Sequence, residues 1–389
     1  MNLIPNSFVQ KKVLQTLEKL QCGSLQFTTP DGQIYNFKAP KPGPNATFIL
    51  RDWSAIRNAL VRGDIALGED YIQGLWETDS IEALFSLFLT NMETLEGDFA
   101  HGDWLRRIGF IIYNRIICRN SKSGSRQNIE AHYDVGNDFY KLWLDDTMTY
   151  SSALYDGTDK ALHEAQRAKY GRILDKVNGA SSVLEIGCGW GGFAEEAARQ
   201  SRHVTGLTIS PSQHEFATKR LDGKADIRLQ DYRDTRGVFD AIVSIEMFEA
   251  VGERYWPIYF KTVHDRLKRG GRALIQTITI RDEFFEGYRT RSDFIRHYVF
   301  PGGMLPSAKG FCEQANKAGL KCVDMFAFGQ DYARTLREWI TRFEAKKEDI
   351  LAMGYSEAFI RNWRFYLGIC AATFAVERTN VVQVELAHA

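Results

Sequence analysis

The run Val183-Leu184-Glu185-Ile186-Gly187-Cys188-Gly189-Trp190-Gly191-Gly192 constrains the fold of this chain more than any other stretch. Apolar, β-favouring positions lead into Gly-x-Gly-x-Gly, and Phe193-Ala194-Glu195-Glu196-Ala197-Ala198 follows with helical character. The pattern predicts a buried strand, a tight turn and a helix start. Glycine serves where backbone must pass close to a ligand. A helix N-terminus adds free N–H groups and partial positive charge. Such a turn suits a nucleotide-like cofactor. The alternation then continues, with candidate strands at 183–186, 203–207, 227–229, 241–245 and 273–278 and helical segments such as 212–220 and 255–267. This is the signature of an α/β chain with a doubly wound, mostly parallel sheet.

The glycine spacing narrows the cofactor. A dinucleotide fingerprint reads Gly-x-Gly-x-x-Gly, with an acid about 20 residues on for the ribose. Here the third glycine comes one position early and Glu185 precedes the first. The next strand ends in Thr208-Ile209-Ser210 rather than an acid. The arrangement fits better the S-adenosylmethionine (SAM) pocket of Rossmann-like methyltransferases.

Composition removes other classes. Lys+Arg and Asp+Glu are both 49, so no global charge draws the chain to nucleic acid. The six cysteines, Cys22, Cys118, Cys188, Cys312, Cys322 and Cys370, form no Cys-x-x-Cys pair. The expectation is no metal site, no disulfide framework and a reducing compartment. No apolar run reaches the roughly 18 residues of a spanning helix, and Met1-Asn2-Leu3-Ile4-Pro5-Asn6 lacks a signal-peptide core. The expected location is the cytoplasm, with peripheral contact at the inner face of the membrane.

Three regions follow along the chain. Residues 1–103 read as a small α+β domain, with a hairpin signal where 24–28 and 34–37 flank Pro30-Asp31-Gly32. Helical patterns cover 52–61 and 80–89. Residues 104–126 interleave Trp104, Ile108, Phe110, Ile111, Ile112 and Ile116 with Arg106, Arg107, Arg115, Arg119, Lys122 and Arg126. A basic amphipathic stretch of this kind lies on an anionic bilayer or docks one domain on another. Residues 127–389 form the catalytic domain. Within it, 282–300 carries Phe284, Phe285, Tyr288, Phe294, Tyr298 and Phe300, as a wall over an apolar substrate or as ordinary packing.

Seven motifs occur in order: His132 to Tyr140, Thr149-Tyr150-Ser151-Ser152-Ala153, the glycine run, Gly206 to Gln213, Gln230-Asp231-Tyr232-Arg233-Asp234, Met247-Phe248-Glu249, and Phe300-Pro301-Gly302-Gly303-Met304-Leu305-Pro306-Ser307. Together they resemble the cyclopropane-fatty-acyl-phospholipid synthase family, which includes the mycolic-acid methyltransferases. The resemblance spans nearly the whole chain, and the stretch from Gly68 to Glu77 resembles the extra N-terminal domain of the bacterial phospholipid enzymes. It implies a class I SAM-dependent methyltransferase that adds a methyl-derived carbon to the double bond of unsaturated acyl chains of membrane phospholipids. A homodimer is compatible with it. Methyl attack leaves a carbocation, and loss of a proton from the new methyl closes a cyclopropane, with bicarbonate as the base.

Carried over by motif, Gly187, Gly189 and Gly191 line the SAM pocket, and Tyr150 and Ser151 meet the methionine part. Thr208 and Gln213 approach the ribose, and Asp231 and Tyr232 flank the adenine. Glu249 and Tyr332 match the carboxylate and phenol of the bicarbonate site.

Three positions depart from the synthase pattern. Tyr-Ser-Cys-Ala becomes Tyr150-Ser151-Ser152-Ala153, Phe-Glu-His-Val-Gly becomes Phe248-Glu249-Ala250-Val251-Gly252, and His-Thr-Ile becomes Gln276-Thr277-Ile278. Ser152 and Gln276 still donate hydrogen bonds, but neither exchanges a proton near neutral pH as histidine does. Bicarbonate is therefore retained in altered form or lost. Glu246, three residues before Glu249, is the candidate carboxylate base in its place; otherwise it is a surface or ion-paired glutamate. Because base placement selects among exits from a carbocation, a methyl-branched chain is the alternative product. More distant readings are a small-molecule methyltransferase and a lipid-binding protein without activity.

Overall fold

The structure, a computed structural model, describes residues 6–96 and 135–389. The basic stretch at 104–126, the boundaries at 103 and 126, and the start of the first motif lie outside the described residues. The described chain divides into two compact units.

The larger unit takes in 135–290, Phe300–Phe343 and Arg378–Ala389. Its sheet has seven strands: β5 (Ser182–Ile186), β6 (His203–Thr208), β7 (Asp226–Leu229), β8 (Phe239–Ile245), β9 (Leu267–Ile280), β10 (Leu320–Ala327) and β11 (Thr379–His388), in the order β10-β11-β9-β8-β5-β6-β7. The five strands β9-β8-β5-β6-β7 are parallel, and β11 and β10 add antiparallel at the β9 edge. Burial on both faces explains why these strands read as near-continuous apolar runs.

Alternate residues feed two cores. Leu184, Ile242, Ala273 and Ile275 face a cluster with Trp256, Tyr259, Phe260 and Phe311, from the Trp256–Arg266 and Ala308–Lys317 helices. Val183, Ala241, Val243 and Leu274 face Tyr170, Ile173, Phe193 and Ala217, from the Leu162–Lys176, Gly192–Arg199 and Pro211–Leu221 helices. Strand order reverses between β5 and β8, and a doubly wound sheet gathers its ligands beyond the carboxyl ends at such a point.

The smaller unit holds 6–96, Arg291–Val299 and Glu344–Glu377. Two of these segments lie beyond the linear boundary at 127 yet pack with the N-terminal residues. Its sheet runs β2-β1-β3-β4, from β1 (Cys22–Thr28), β2 (Ile34–Lys38), β3 (Lys41–Leu50) and β4 (Trp76–Glu77). The hairpin pairs Ser24 with Lys38 and Thr28 with Ile34, as the turn signal implies. The Glu357–Ala375 helix reaches the Ile81–Thr90 helix because Gly368 carries no Cβ; one there would lie 2.6 Å from Ile81 Cβ. Phe294, from the aromatic segment, is fully buried here, its ring 4.7 Å from that of Phe365. Phe285 and Tyr288 instead pack on the core of the larger unit.

The expectation of unlinked thiols needs one correction. Cys312 and Cys322 form a disulfide, their Cα atoms 5.9 Å apart. The Ala308–Lys317 helix packs on β10, and the turn between them sets the two cysteines opposite each other. Among the described residues no helix is long and apolar enough to cross a membrane.

Candidate active site

The site is built at the carboxyl ends of β5, β8 and β9. β8 ends at Ile245, and Glu246 follows with φ +50°, in the left-handed region. For a residue with a Cβ that conformation costs about 1–2 kcal/mol, so the surroundings must hold it. Glu246 N–H donates to Gln276 O (2.8 Å) across to β9.

Three donors then converge on the Glu246 carboxylate. Oε1 accepts from the Ser152 backbone N–H (2.9 Å) and from Gln276 Nε2 (2.8 Å), and Oε2 accepts from Tyr332 Oη (2.6 Å). Removal from water pushes the Glu246 carboxyl up, while Lys169 and these donors oppose the shift. The Ser152 hydroxyl is not among them; it donates to Ala153 O (3.0 Å). The donors expected to hold bicarbonate are thus engaged by the chain's own carboxylate. Bicarbonate presents the same pair of acceptor oxygens, so these residues do not fit an additional external anion.

Glu249 lies one turn further on. Its Oε1 accepts from Thr277 Oγ1 (2.9 Å) and Ile278 N–H (2.5 Å). Its Oε2 is buried and has no partner among the described residues. Burial and the neighbouring Glu246 charge push its pKa up to about 8. Its carbonyl accepts from Met304 N–H (2.8 Å), which ties the 300–307 motif to the site.

A second polar group sits behind residues 150–152. Lys169, fully buried, donates from Nζ to Ser151 Oγ (2.7 Å) and Gln166 Oε1 (2.7 Å). Burial pulls its pKa down to about 7 against the pull of Glu246, Asp145 and Glu185. Burial likewise lifts Glu185 to about 8, and its Oε2 has no partner among the described residues. Tyr150 joins an aromatic cluster, its ring 5.3 Å from Trp339, 5.5 Å from Tyr140 and 5.8 Å from Trp143.

The glycines divide by role. A Cβ on Gly187 would lie 2.7 Å from Met247 Cγ, and one on Gly191 would lie 3.1 Å from Leu221 Cδ1. At those two, positive φ and close protein packing both favour glycine. At Gly189, φ +53°, the space a Cβ would enter is open. Thr208 Oγ1 donates to Gln213 Oε1 (3.0 Å) at the end of β6. Asp231, after β7, is held by Arg233 (Nε to Oδ1, 2.8 Å), and the Tyr232 ring lies 5.6 Å from Tyr259. Of the sequence-predicted residues, the fold joins Glu246 directly to Ser152, Gln276 and Tyr332, while Thr208 ends β6 and Asp231 and Tyr232 follow β7.

These features fit SAM. SAM is a cation at its sulfonium and ammonium, and the site offers aromatic rings with the buried Glu185 carboxyl, whose Oε2 has no hydrogen-bond partner among the described residues. The open space at Gly189 lies beside the N-terminus of the Gly192–Arg199 helix.

Sequence reasoning missed Lys169, Trp339, Arg172 and Gln383. Only Gln383 left a trace, as a polar residue inside the apolar run Val381-Val382-Gln383-Val384.

Comparison with known proteins agrees with this geometry. The family model described as mycolic acid cyclopropane synthetase matches residues 120–384. The tuberculostearic acid methyltransferase UfaA1 of Mycobacterium tuberculosis is 34% identical over 362 residues, covering 89% of this chain and 84% of that protein. The cyclopropane-fatty-acyl-phospholipid synthase of Escherichia coli K12 is 37% identical over 334 residues, 84% of each. The crystal structure of the mycolic acid cyclopropane synthase CmaA1 complexed with SAH and CTAB superposes with a TM-score of 0.63 at 30% identity, covering 67% of this chain and 97% of that one.

Proposed function

The chain belongs to the mycolic acid cyclopropane synthetase family of SAM-dependent methyltransferases, and from that premise we propose that it modifies the double bond of unsaturated acyl chains in membrane phospholipids, with Glu246 as the built-in base. The carrying observation is the Glu246 carboxylate, held by three donors at the carboxyl end of β8 beside Glu249.

SAM, when bound, supplies an electrophilic methyl carbon to the alkene. The protein's part is to orient the chain, stabilise positive charge and remove one proton. Glu249 would offer its Oε2 to a developing cation as a carboxylate; cofactor binding would favour the ionised form, its proton passing to solvent before the reaction. Glu246 is the acceptor for the departing proton, within a hydrogen-bonded frame that fixes its position.

Proton loss from the new methyl gives a cyclopropane, the first reading. Proton loss from an adjacent chain carbon gives a methyl-branched alkene. The base fixed on the protein and the glutamine at position 276 favour this second product, because base placement selects which proton leaves. We place the enzyme at the inner face of the membrane, with the basic stretch at 104–126 as its contact with anionic headgroups.

The test is expression in a bacterial host that lacks such an enzyme, followed by mass spectrometry of its phospholipid fatty acids. Acyl groups heavier by one CH2 unit are expected. Mild hydrogenation separates the two isomeric products, because it saturates the branched alkene and spares the ring. Unmodified acyl chains in a host that accumulates folded, SAM-binding protein would overturn the proposal.

A further inference from the structure

Glu246 is the inner end of a directional chain of hydrogen bonds that runs through β9 and β11 to the Leu162–Lys176 helix. Gln276 and Gln383 are directly opposed in the β9–β11 register and fully buried. Gln383 Nε2 donates to Gln276 Oε1 (2.9 Å), and Gln276 Nε2 donates to Glu246 Oε1 (2.8 Å). At the outer end, Arg172 of the Leu162–Lys176 helix donates from its guanidinium to Gln383 Oε1 (2.6 Å). Arg172 is itself held over the Phe326 ring (4.0 Å to the centroid) and 3.7 Å from Asp324.

The direction of this chain follows from chemistry. A glutamine amide can turn either way, but a guanidinium only donates. Arg172 therefore demands the Gln383 oxygen, which turns the Gln383 nitrogen towards Gln276. Gln276 must then accept with its oxygen and present its nitrogen to Glu246. Without Arg172 both amides are free to turn together. The Gln276 oxygen would then face Glu246 Oε1, a contact that only a protonated Glu246 makes favourable. An interior site makes such a mismatch costly.

We infer that Arg172 and Gln383 are positioning residues of the reaction, which act through Gln276 to keep the Glu246 carboxylate ionised and receptive to the proton. The inference rests on the reading of Glu246 as base. Other charged or titratable neighbours of Glu246 are Lys169 from the Leu162–Lys176 helix, Tyr332 from the Gly329–Ala345 helix and Glu249 from its own turn. Around Arg172 they are Asp324 and Glu385, which also hold Lys176.

The test is the pH dependence of kcat in the full-length enzyme, with SAM and vesicles of dioleoyl phosphatidylglycerol. Gln383→Glu keeps the size and the Arg172 pair but cannot donate to Gln276, so it reverses the relay. Arg172→Met removes the donor that sets the direction. Each should move the acidic limb upward by about one unit, about tenfold in the ionised fraction, with KM for SAM unchanged. Arg172→Lys, which also only donates, should restore the parental limb. Asp324→Asn changes the charge beside Arg172 without touching the relay and should leave the limb in place.

If the Gln383 and Arg172 variants fold and keep the parental limb, the inference fails. It also fails if Asp324→Asn moves the limb as far as Arg172→Met, since a general field would then suffice. Glu246→Gln separates the two levels. If that variant keeps the parental rate and limb, the base assignment itself is wrong. If it is inactive while the relay variants behave as the parent, only the relay is wrong.

Discussion

Replacing Glu246 by glycine should turn this enzyme into one that depends on bicarbonate. The backbone favours the change, since φ is +50° at this position and glycine removes the roughly 1–2 kcal/mol left-handed penalty. Against that, Ser152 N–H, Gln276 Nε2 and Tyr332 Oη lose their acceptor. Each unsatisfied buried donor costs about 1–3 kcal/mol when dry. The cavity left is polar, however, and admits water, so the net loss of stability should stay within about 3 kcal/mol. Loss of the general base should slow turnover by about 10²–10⁴-fold.

The vacated space is the size of a carboxylate and is lined by three donors, so bicarbonate should occupy it and act as base. The assay is transfer of labelled methyl from SAM to unsaturated phospholipid vesicles in buffer stripped of carbon dioxide. The parent should be indifferent to added bicarbonate. Glu246→Gly should recover at least about tenfold with millimolar bicarbonate, about 1.4 kcal/mol of barrier. Glu246→Gln should be as slow and should not recover, because its amide still fills the space. A glycine variant with the parental rate in stripped buffer, or a parent stimulated by bicarbonate, would refute the reasoning.

Other outcomes follow from the same site. Gly189→Val places a branched side chain, at φ +53°, in the open space of the glycine turn; calorimetry should show SAM affinity lower by at least about tenfold, or roughly 1.4 kcal/mol. Glu249→Gln should reduce turnover by about 100-fold or more with SAM affinity little changed. The same variant has a pH signature in thermal unfolding without SAM. Glu249 in the folded protein titrates near 8 rather than its ordinary 4.5, so ionisation opposes folding; the parent loses this contribution as pH rises from 4.5 to 8, and Glu249→Gln should lack that slope. Changing Arg106, Arg107, Arg115 and Arg119 together to Gln should weaken binding to anionic vesicles by on the order of 1 kcal/mol per charge, with the difference shrinking at high salt. Equal vesicle binding would leave the stretch an interdomain element.

Much of the central sheet was legible in the sequence because its signals are local. The runs at 183–186, 203–207, 227–229 and 241–245 each fall within an observed strand, β5 to β8. In β5, β6 and β8, burial on both faces demands apolar side chains at most positions, and that demand is visible without knowing the neighbours. The glycine turn was legible for the same reason, since positive φ at Gly187, Gly189 and Gly191 is a property of the residues themselves. β10 and β11 were not. Their residues mix apolar positions with Asp324, Gln383 and Glu385, whose partners come from elsewhere in the sheet and from the Leu162–Lys176 helix.

The sequence by itself determined the parallel strands of the sheet, the cofactor turn and the presence of two carboxylates after β8. It left open whether Glu246 is a surface residue, and only the tertiary structure showed its carboxylate held by three donors. The donors on its carboxylate come from positions 152, 276 and 332, and the relay behind them joins Gln276 to Gln383 across 107 residues and Gln383 to Arg172 across 211. Propensity and periodicity act between near neighbours in the chain. The ionisation of a partly buried carboxylate depends on which donors the fold brings within 3 Å and on which way each one points.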